Sequence, residues 1–319
     1  MTAITNTATT LTTKGIREDL EGTIYRVAAQ KTPFQSNTAD GGEATNTFHE
    51  WQTETLAAPS ASNFQLEGDD ITSYDTERLT TRVGNYCQIF RKTGLVSGTD
   101  DAVKKAGRQS ELNRQKVLKG IELKTDMEMT FLGNVVSGQE AGATPRKCAG
   151  VPAWVTTNTL FGSGGSAGGF SGGTVAAATP GTNRTYTESL LKSVRATAFG
   201  NGATPSQVYM SGTNKQQAGA FPGIASIRVD AARDEQATVI GAADTYLDDF
   251  GTMHFIPHQY AVSNMAIMVD PEMVAIATLR GMTVEALAQT GDATKFLLLA
   301  EKTLVCRNQK AHAVIFALT

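Results

Sequence analysis

The sequence predicts a mixed α+β fold, and three observations indicate it. A stretch of about 35 residues from Asp100 to Asn134 contains no proline and is rich in helix formers. Residues 45–95, which precede it, carry β-branched and aromatic residues in partial alternation. The remainder mixes short helical and strand-like segments without a run of βαβ units.

Composition limits the classes of function. The chain has 319 residues, enough for one large or two medium domains, and a net charge of -3, which gives no electrostatic footprint for nucleic acid. No apolar run reaches the roughly 18 residues of a membrane span, and the polar, Thr-rich N-terminus is not a secretory signal. We therefore expect no membrane partner.

Cysteine usage is sparse and irregular. Cys87, Cys148 and Cys306 are far apart and odd in number. This pattern predicts buried thiols of a reducing compartment, because neither a disulfide framework nor a metal cluster has such spacing. No metal and no cofactor is expected.

The first hundred residues predict a tail and a long protrusion. Residues 1–15 offer too little apolar surface to pack and predict an arm. A short helix is expected from Arg17 to Ala29, before Pro33. Within 45–95, two strands flank a polar tip, and because an isolated pair of that length is marginal in water, we expect it to lie on another subunit.

The Asp100–Asn134 stretch predicts one continuous helix. At 1.5 Å per residue it would be roughly 50 Å long, longer than a small domain requires. No heptad persists, so the spine of an extended subunit is favoured over a coiled coil. Ile121 is assigned to the packed side of this helix.

The second half predicts shorter elements. Residues 148–155 predict a buried turn or short strand, and the Gly/Ser-rich residues 162–183 predict a loop too poor in apolar side chains to pack. A helix capped by Thr187 is expected from Thr185 to Phe199. The other expected elements are strands at Val208–Met210, Ser226–Val229, Thr252–Pro257 and Ala266–Val269, helices at 213–220 and from Pro271 to Ala277, and two closing strands around Asn308 and Gln309.

Catalytic patterns are weak. Ser166 and Ser171 each stand in a Gly-x-Ser-x-Gly string, with Asp249 and His254 following in the order of α/β hydrolases. A nucleophile elbow needs a strand before the serine and a helix after it, whereas these strings lie in low-complexity sequence where chance matches are expected. No catalytic residue is assigned, and a serine hydrolase stays a remote alternative.

Several long strings carry a resemblance to a known family. They are Thr32-Pro33-Phe34, ATNTFHEWQTETLAAP (44–59), TRVGNYCQI (81–89), Val269-Asp270-Pro271-Glu272, LAQTGDATK (287–295) and AEKTLVCRNQKAHAVI (300–315). The chain resembles the SU10-type major head proteins, which are major capsid proteins of tailed bacteriophages with the Hong Kong 97-like (HK97-like) fold.

The resemblance implies a division of the chain into four parts. Residues 1–47 would be the N-terminal arm and residues 48–98 the extended loop. Residues 99–186 and 276–319 would form the peripheral domain with its long spine helix, and residues 187–275 the axial domain. The 162–183 segment would be a lineage-specific loop.

The resemblance also implies a function and partners. The protein would be structural, not an enzyme, and would assemble through hexamers and pentamers into the icosahedral head shell that encloses double-stranded DNA, contacted non-specifically. Portal and scaffolding proteins would be partners, with decoration or minor capsid proteins as optional ones; a separate scaffold is expected because Met1 stands almost directly at the arm. The protein would be a virion component assembled in the host cytoplasm. An encapsulin-like compartment shell stays an alternative.

Contacts between subunits are expected at the extended loop and the spine helix. The acid-rich loop tip and several arginines could pair across subunits, although solvated surface charge stays the alternative for each of them. The residues assigned to such contacts are Trp51, Phe64, Glu67, Asp69, Asp70, Arg78, Arg82, Arg108 and Arg114.

Overall fold

The computed structural model describes residues 31–71, 73–107, 109–221, 245–260, 264–289 and 291–319. The helices of this part are α1 (Pro33–Asn37), α2 (Gly98–Ala102), α3 (Glu111–Leu132), α4 (Val151–Trp154), α5 (Glu188–Gly200) and α6 (Gly212–Gly219). Its strands are β1 (Ala39–Glu43), β2 (Phe48–Thr53), β3 (Thr81–Tyr86), β4 (Gln88–Ser97), β5 (Thr159–Leu160), β6 (Gly169–Ser171), β7 (Thr174–Ala176), β8 (Gln207–Met210), β9 (Thr245–Asp248), β10 (Gly251–Pro257), β11 (Met265–Val269), β12 (Val274–Leu287), β13 (Ala293–Cys306) and β14 (Ala313–Phe316). This mixture confirms the α+β prediction. The expected arm of residues 1–15, the helix Arg17–Ala29 and the strand Ser226–Val229 lie outside the described residues.

A six-stranded sheet forms one half of the body, in the order β5-β14-β11-β8-β10-β9. Every residue of β11 and β14 is buried, as the continuous apolar runs of these central strands require. One face packs on α5 through Leu191, Val194 and Ala198. The opposite face, which includes Tyr209 and Ile267, joins the main core. The strands predicted at 208–210, 252–257 and 266–269 are confirmed.

A four-stranded sheet forms the other half, in the order β1-β12-β13-β4. The 14-residue strands β12 and β13 are antiparallel, and β4 continues the sheet beyond β13. Helix α3 packs on the face that carries Phe296 and Leu298, and Lys116 Nζ lies 5.9 Å from the centroid of the Phe296 ring. The helix and this sheet therefore share one core.

The spine helix is shorter than the sequence predicted. One helix over Asp100–Asn134 is wrong: α3 has 22 residues, roughly 33 Å, and α2 is a separate single turn. The reason is capping, because Asp101 Oδ1 accepts hydrogen bonds from the backbone N–H of Glu111 (2.9 Å) and the hydroxyl of Ser110 (3.1 Å), and Ser110 Oγ accepts from Asn113 N–H (3.3 Å).

The packed face of α3 also differs from the prediction. Leu123, Met127 and Phe131 are the buried apolar residues that join the main core. Ile121 is only half-buried and lies outside that core. The assignment of Ile121 to the packed side is therefore wrong by about a third of a helical turn.

The closing part of the chain also has one wrong element. The helix expected from Pro271 to Ala277 is absent, because a turn at Pro271–Met273 leads directly into β12. Its β-branched Val274 and Ile276 pair with Cys306 and Leu304 of β13. The two closing strands around Asn308 are confirmed as β13 and β14, but they lie in different sheets.

The Gly/Ser-rich 162–183 segment is folded, which contradicts the expectation of an unpacked loop. Strands β6 and β7 form a hairpin, and Val175 is fully buried in the main core. Asn134 of the α3 end exchanges two hydrogen bonds with Ala178 (2.6 and 2.9 Å). Glycine is required because a Cβ at Gly162 or Gly168 would clash with the backbone that passes beside it.

The short segment before that hairpin is buried, as expected. Residues 151–154 form the single turn α4 rather than a strand, with all four side chains buried. Within the described part of the chain, no helix combines the length and apolar character that crossing a bilayer requires.

Candidate functional site

Among the described residues, the loop that joins β2 to β3, residues 54–80, contains the largest group of exposed apolar side chains. No helix or strand occurs among its described residues. Six large apolar side chains are between 73 and 88% exposed: Leu56, Phe64, Leu66, Ile71, Tyr74 and Leu79. Soluble monomers rarely expose so many apolar side chains together, so this loop has the character of a binding surface.

The same loop is strongly acidic. Six carboxylates stand in 54–80 against the single Arg78; they are Glu54, Glu67, Asp69, Asp70, Asp75 and Glu77. An acidic, apolar loop suits a partner surface that offers apolar area with positive charge beside it.

The base of the loop is ordered by a short strand pair. Strands β2 and β3 pair antiparallel from Phe48 opposite Tyr86 to Thr53 opposite Thr81. Arg82 donates to both oxygens of Glu50 at 2.7 Å across this pair. The predicted two-stranded protrusion is therefore confirmed, although each strand has only six residues and the described part of the 54–80 loop contains no strand.

An aromatic ladder anchors this base to the body. Trp51 Nε1–H donates to the carbonyl of Cys306 (2.9 Å), and its ring lies 5.3 Å from that of Trp154. Trp154 in turn stacks on Phe170 of the glycine-rich hairpin at 5.8 Å and 5°. A cleft of about 270 Å³ between loop base and hairpin is lined by Val83, Trp154, Phe170 and neighbouring polar residues. The direction in which the loop leaves the body is thus set by packing.

Along β4, the face of the four-stranded sheet opposite α3 is exposed. On β4, Phe90 and Val96 are buried on the α3 side, whereas Ile89, Arg91 and Leu95 alternate with them and are exposed. Leu95 is 62% exposed and lies opposite Lys295 of β13. This face combines the apolar side chains of Ile89 and Leu95 with the cation of Arg91. That combination suits the acidic, apolar loop.

The residues predicted as subunit contacts are spread over three places. Phe64, Glu67, Asp69, Asp70 and Arg78 all lie exposed on the loop. Trp51 and Arg82 lie at its base, where each already has the intramolecular partner described above. Arg114 lies on α3 and pairs with Glu111 at 3.0 Å. Arg108 lies outside the described residues.

Of the six exposed apolar side chains of this surface, the sequence predicted only Phe64. Leu56, Leu66, Ile71, Tyr74 and Leu79 were not assigned, because they follow neither a helical nor a strand period. The signal that could have found them is the combination of large apolar residues with a segment that has no regular structure of its own.

The catalytic patterns do not form a hydrolase site. Ser171 ends β6 and is followed by a glycine turn and β7, not by a helix. Ser166 forms a two-bond backbone bridge with Thr179. The strand-serine-helix elbow is therefore not formed at either serine. Within the described ranges, no three His, Cys, Asp or Glu side chains come together in a way that would hold a metal ion.

All three cysteines are buried and free. Burial raises the pKa of Cys87 to about 12 and that of Cys148 to about 11, and it raises the pKa of Cys306 as well. Because the thiolate is the nucleophilic form, the raised pKa values lead us to expect low reactivity at neutral pH. The prediction of buried thiols is confirmed.

Comparison with known proteins gives one family. The family model of the SU10 major capsid proteins matches residues 3–319 of the chain. The major capsid protein of Escherichia phage Phieco32 is 38% identical over 108 residues, which is 33% of this chain and 30% of that protein. The match thus spans less than a third of the length of this curated relative.

Solved structures show the same fold at low sequence identity. A chain of the cyanophage A-1(L) capsid asymmetric unit superposes with a TM-score of 0.67 and 11% identity, covering 98% of this chain and all of that one. A chain from Mycobacterium phage Bobi gives 0.60 and 14%, covering 95 and 96%. A chain from a phage G structure of major capsid and decoration proteins gives 0.55 and 9%, covering both chains fully. The fold is the HK97-like capsid fold.

Proposed function

Because this chain belongs to the SU10 major capsid protein family, we propose that its copies assemble through hexamers and pentamers into the icosahedral shell that encloses the double-stranded DNA of a tailed phage. The protein is then a component of the virion. The observation that carries this proposal is the 54–80 loop, whose large apolar side chains have no partner within the described part of the chain. A second copy would supply it.

The loop is proposed to lie on the exposed face of β4 in a neighbouring copy. That face offers Leu95 and Ile89 as apolar contacts and Arg91 as a cation for the acidic tip. Each contact is weak alone, but a closed ring repeats it at every subunit, which raises the overall affinity without new contacts.

The domain division stays a proposal, with boundaries moved to follow the two sheets: β4 joins the peripheral domain rather than the extended loop, and β5 joins the axial domain. The four-stranded sheet with α3 would be the peripheral domain, and the six-stranded sheet with α5 and α6 the axial domain. Because β14 pairs with β11 inside the six-stranded sheet, we assign Ala313–Phe316 to the axial domain rather than to the peripheral one. Portal, scaffolding and decoration partners, contact with packaged DNA and assembly in the host cytoplasm stay predictions from the family.

The test is assembly of the purified full chain, followed by sedimentation and negative-stain microscopy. The wild type is expected to form closed shells or rings. The double variant Phe64→Ala/Leu66→Ala and the variant Leu95→Asp should stay as small oligomers, because each removes one side of the proposed contact.

The matched control is Ser73→Ala/Thr76→Ala, which shortens two exposed polar side chains of the same loop and should assemble normally. A wild type that remains monomeric would contradict shell formation. Normal shells from the Phe64/Leu66 variant would contradict the role of the loop alone.

A further inference from the structure

One buried carboxylate lies where three parts of the chain meet. Glu128 of α3 is fully buried. Its Oε1 accepts from the backbone N–H of Phe34 (2.7 Å), and its Oε2 accepts from the backbone N–H (3.0 Å) and the side-chain amide (2.9 Å) of Gln35. These donors lie more than 90 residues away in sequence, near the first described residue of the arm.

The arm also inserts an aromatic side chain beside this carboxylate. Phe34 is fully buried, 6.5 Å from Phe131 of α3 and 5.5 Å from Tyr209 of β8 in an edge-on arrangement, measured between ring centroids. The side-chain amide of Asn37 donates to the Tyr209 hydroxyl (3.3 Å). The short helix α1 is thus held by both α3 and the six-stranded sheet.

The third part is the segment that directly follows β10. His258 is 3% exposed, and its Nδ1 accepts from the backbone N–H of Tyr260 (3.1 Å). An Nδ1 that accepts carries no proton, so the ring hydrogen of the neutral form is on Nε2, which then donates to Glu128 Oε1 (3.2 Å). The carboxylate therefore joins the arm, the spine helix and the six-stranded sheet through one group.

A buried carboxylate needs its donors, because an ionised group left without them is strongly destabilised. If the arm left this pocket, Glu128 would lose three of its four donors and would have to draw in water. The His258 contact would then compete with that water.

We propose that the Glu128 pocket is a docking site for the Phe34–Asn37 segment, and that seating this segment locks α3 to the six-stranded sheet. A force on the arm from a neighbouring molecule is then transmitted to the junction between the two sheets. This inference goes beyond shell formation and is testable on unassembled subunits.

The test is amide hydrogen exchange on the full chain under conditions that keep it dissociated. Glu128→Gln replaces the acceptor of the Gln35 donors by an amide, and Gln35→Ala removes only a half-buried side chain from the arm. Both variants should exchange at least about tenfold faster at residues 33–38 and also at residues 207–211 and 253–260, the segments that contain Tyr209 and His258.

The matched control is Glu122→Gln on the same helix, whose carboxylate is 45% exposed and pairs with Lys119. It should leave exchange at all three segments unchanged. Because Glu128→Gln could unfold the subunit, Gln35→Ala is the decisive variant, with its melting temperature recorded beside the exchange.

Faster exchange in 33–38 alone would overturn the coupling, since the arm would then be seated without locking the sheet. Unchanged exchange in Gln35→Ala at every segment would overturn the docking site itself. If the wild type formed no shells, hydrogen exchange and melting temperature could still be measured on dissociated subunits. Shell formation and the docking proposal can therefore fail separately.

Discussion

The 162–183 segment and the 54–80 loop show opposite relations between composition and packing. The first has glycine at many positions and few apolar side chains, yet it is a folded hairpin with Val175 in the core. The second has six large apolar side chains, and all of them are exposed. Apolar content alone does not decide whether a segment packs.

The difference lies in what each segment can reach. Glycines let the two limbs of the segment approach each other closely. Phe170 then stacks on Trp154, and the backbone of Ala178 bonds to Asn134. The 54–80 loop leaves the body along the direction that β2 and β3 set, and nothing in the described chain lies beside it. Its apolar surface is therefore available to another subunit.

The largest expected effect separates the two segments directly. Val175→Asp places a charge in the core and should lower the free energy of unfolding by roughly 3 kcal/mol or more. Leu66→Asp should change it by less than about 0.5 kcal/mol, because Leu66 is exposed in the isolated subunit. Urea denaturation of dissociated subunits measures both, and equal destabilisation would remove the contrast.

A second effect is a pH dependence confined to the packed body. His312 is fully buried; its Nδ1 accepts from Asp270 N–H and its Nε2 faces the carbonyl of Met273, each at 3.2 Å. Burial lowers the pKa of His312 to about 4 from its ordinary value of 6.5. As pH falls below 6.5 the unfolded state binds this proton first, so stability present above 6.5 is lost towards pH 4.

The loss in the free energy of unfolding follows from about 1.4 kcal/mol per pKa unit. It should be roughly 2 kcal/mol between pH 6.5 and pH 5. Urea denaturation at both pH values should show this loss in the wild type. The variant His312→Gln keeps an amide donor for Met273 and should lack that part of the loss. An identical pH dependence in the variant would assign the effect to other groups.

A smaller effect compares two glycines with left-handed backbone. Gly172 (φ 58°) lies in the hairpin turn, and Gly68 (φ 81°) lies in the 54–80 loop. Gly172→Ala should cost about 1 kcal/mol, because the β6–β7 pairing holds that conformation. Gly68→Ala should cost less, because the loop can adjust. Melting temperatures of the two variants test this, and a larger loss at Gly68 would show that the loop is held within the subunit.

The smallest expected effect is chemical. The three cysteines should not react with a thiol reagent at pH 8 in the folded subunit, since burial raises their pKa and removes access. Mass spectrometry before and after denaturation gives the number of labelled cysteines. Labelling of Cys87 without denaturant would show local opening at the start of β4.

Part of the fold could be predicted because it depends on neighbours in sequence. The strands around 208–210, 252–257 and 266–269 follow from short apolar runs, and the helix after Thr187 follows from its apolar period. The long family-specific strings predicted the HK97-like fold. The β2–β3 pair follows from two β-rich runs that flank a polar tip.

The candidate surface was predicted only in part. Its charged members, such as Glu67 and Asp70, could be read from the sequence, but the exposure of Leu66 or Tyr74 could not. Exposure depends on whether any other part of the folded chain reaches these side chains, and a sequence pattern without a period does not state that.

By itself, the sequence determined the fold class, the family and the existence of the two-stranded protrusion. The tertiary structure decided where the spine helix begins, because Asp101, ten residues before Glu111, accepts the hydrogen bond of its backbone N–H and supports the Ser110 cap. It also decided that the 162–183 segment packs and that Phe34 docks on Glu128, 94 residues away. Such contacts depend on where the folded backbone brings distant residues together, which local propensity and periodicity do not encode.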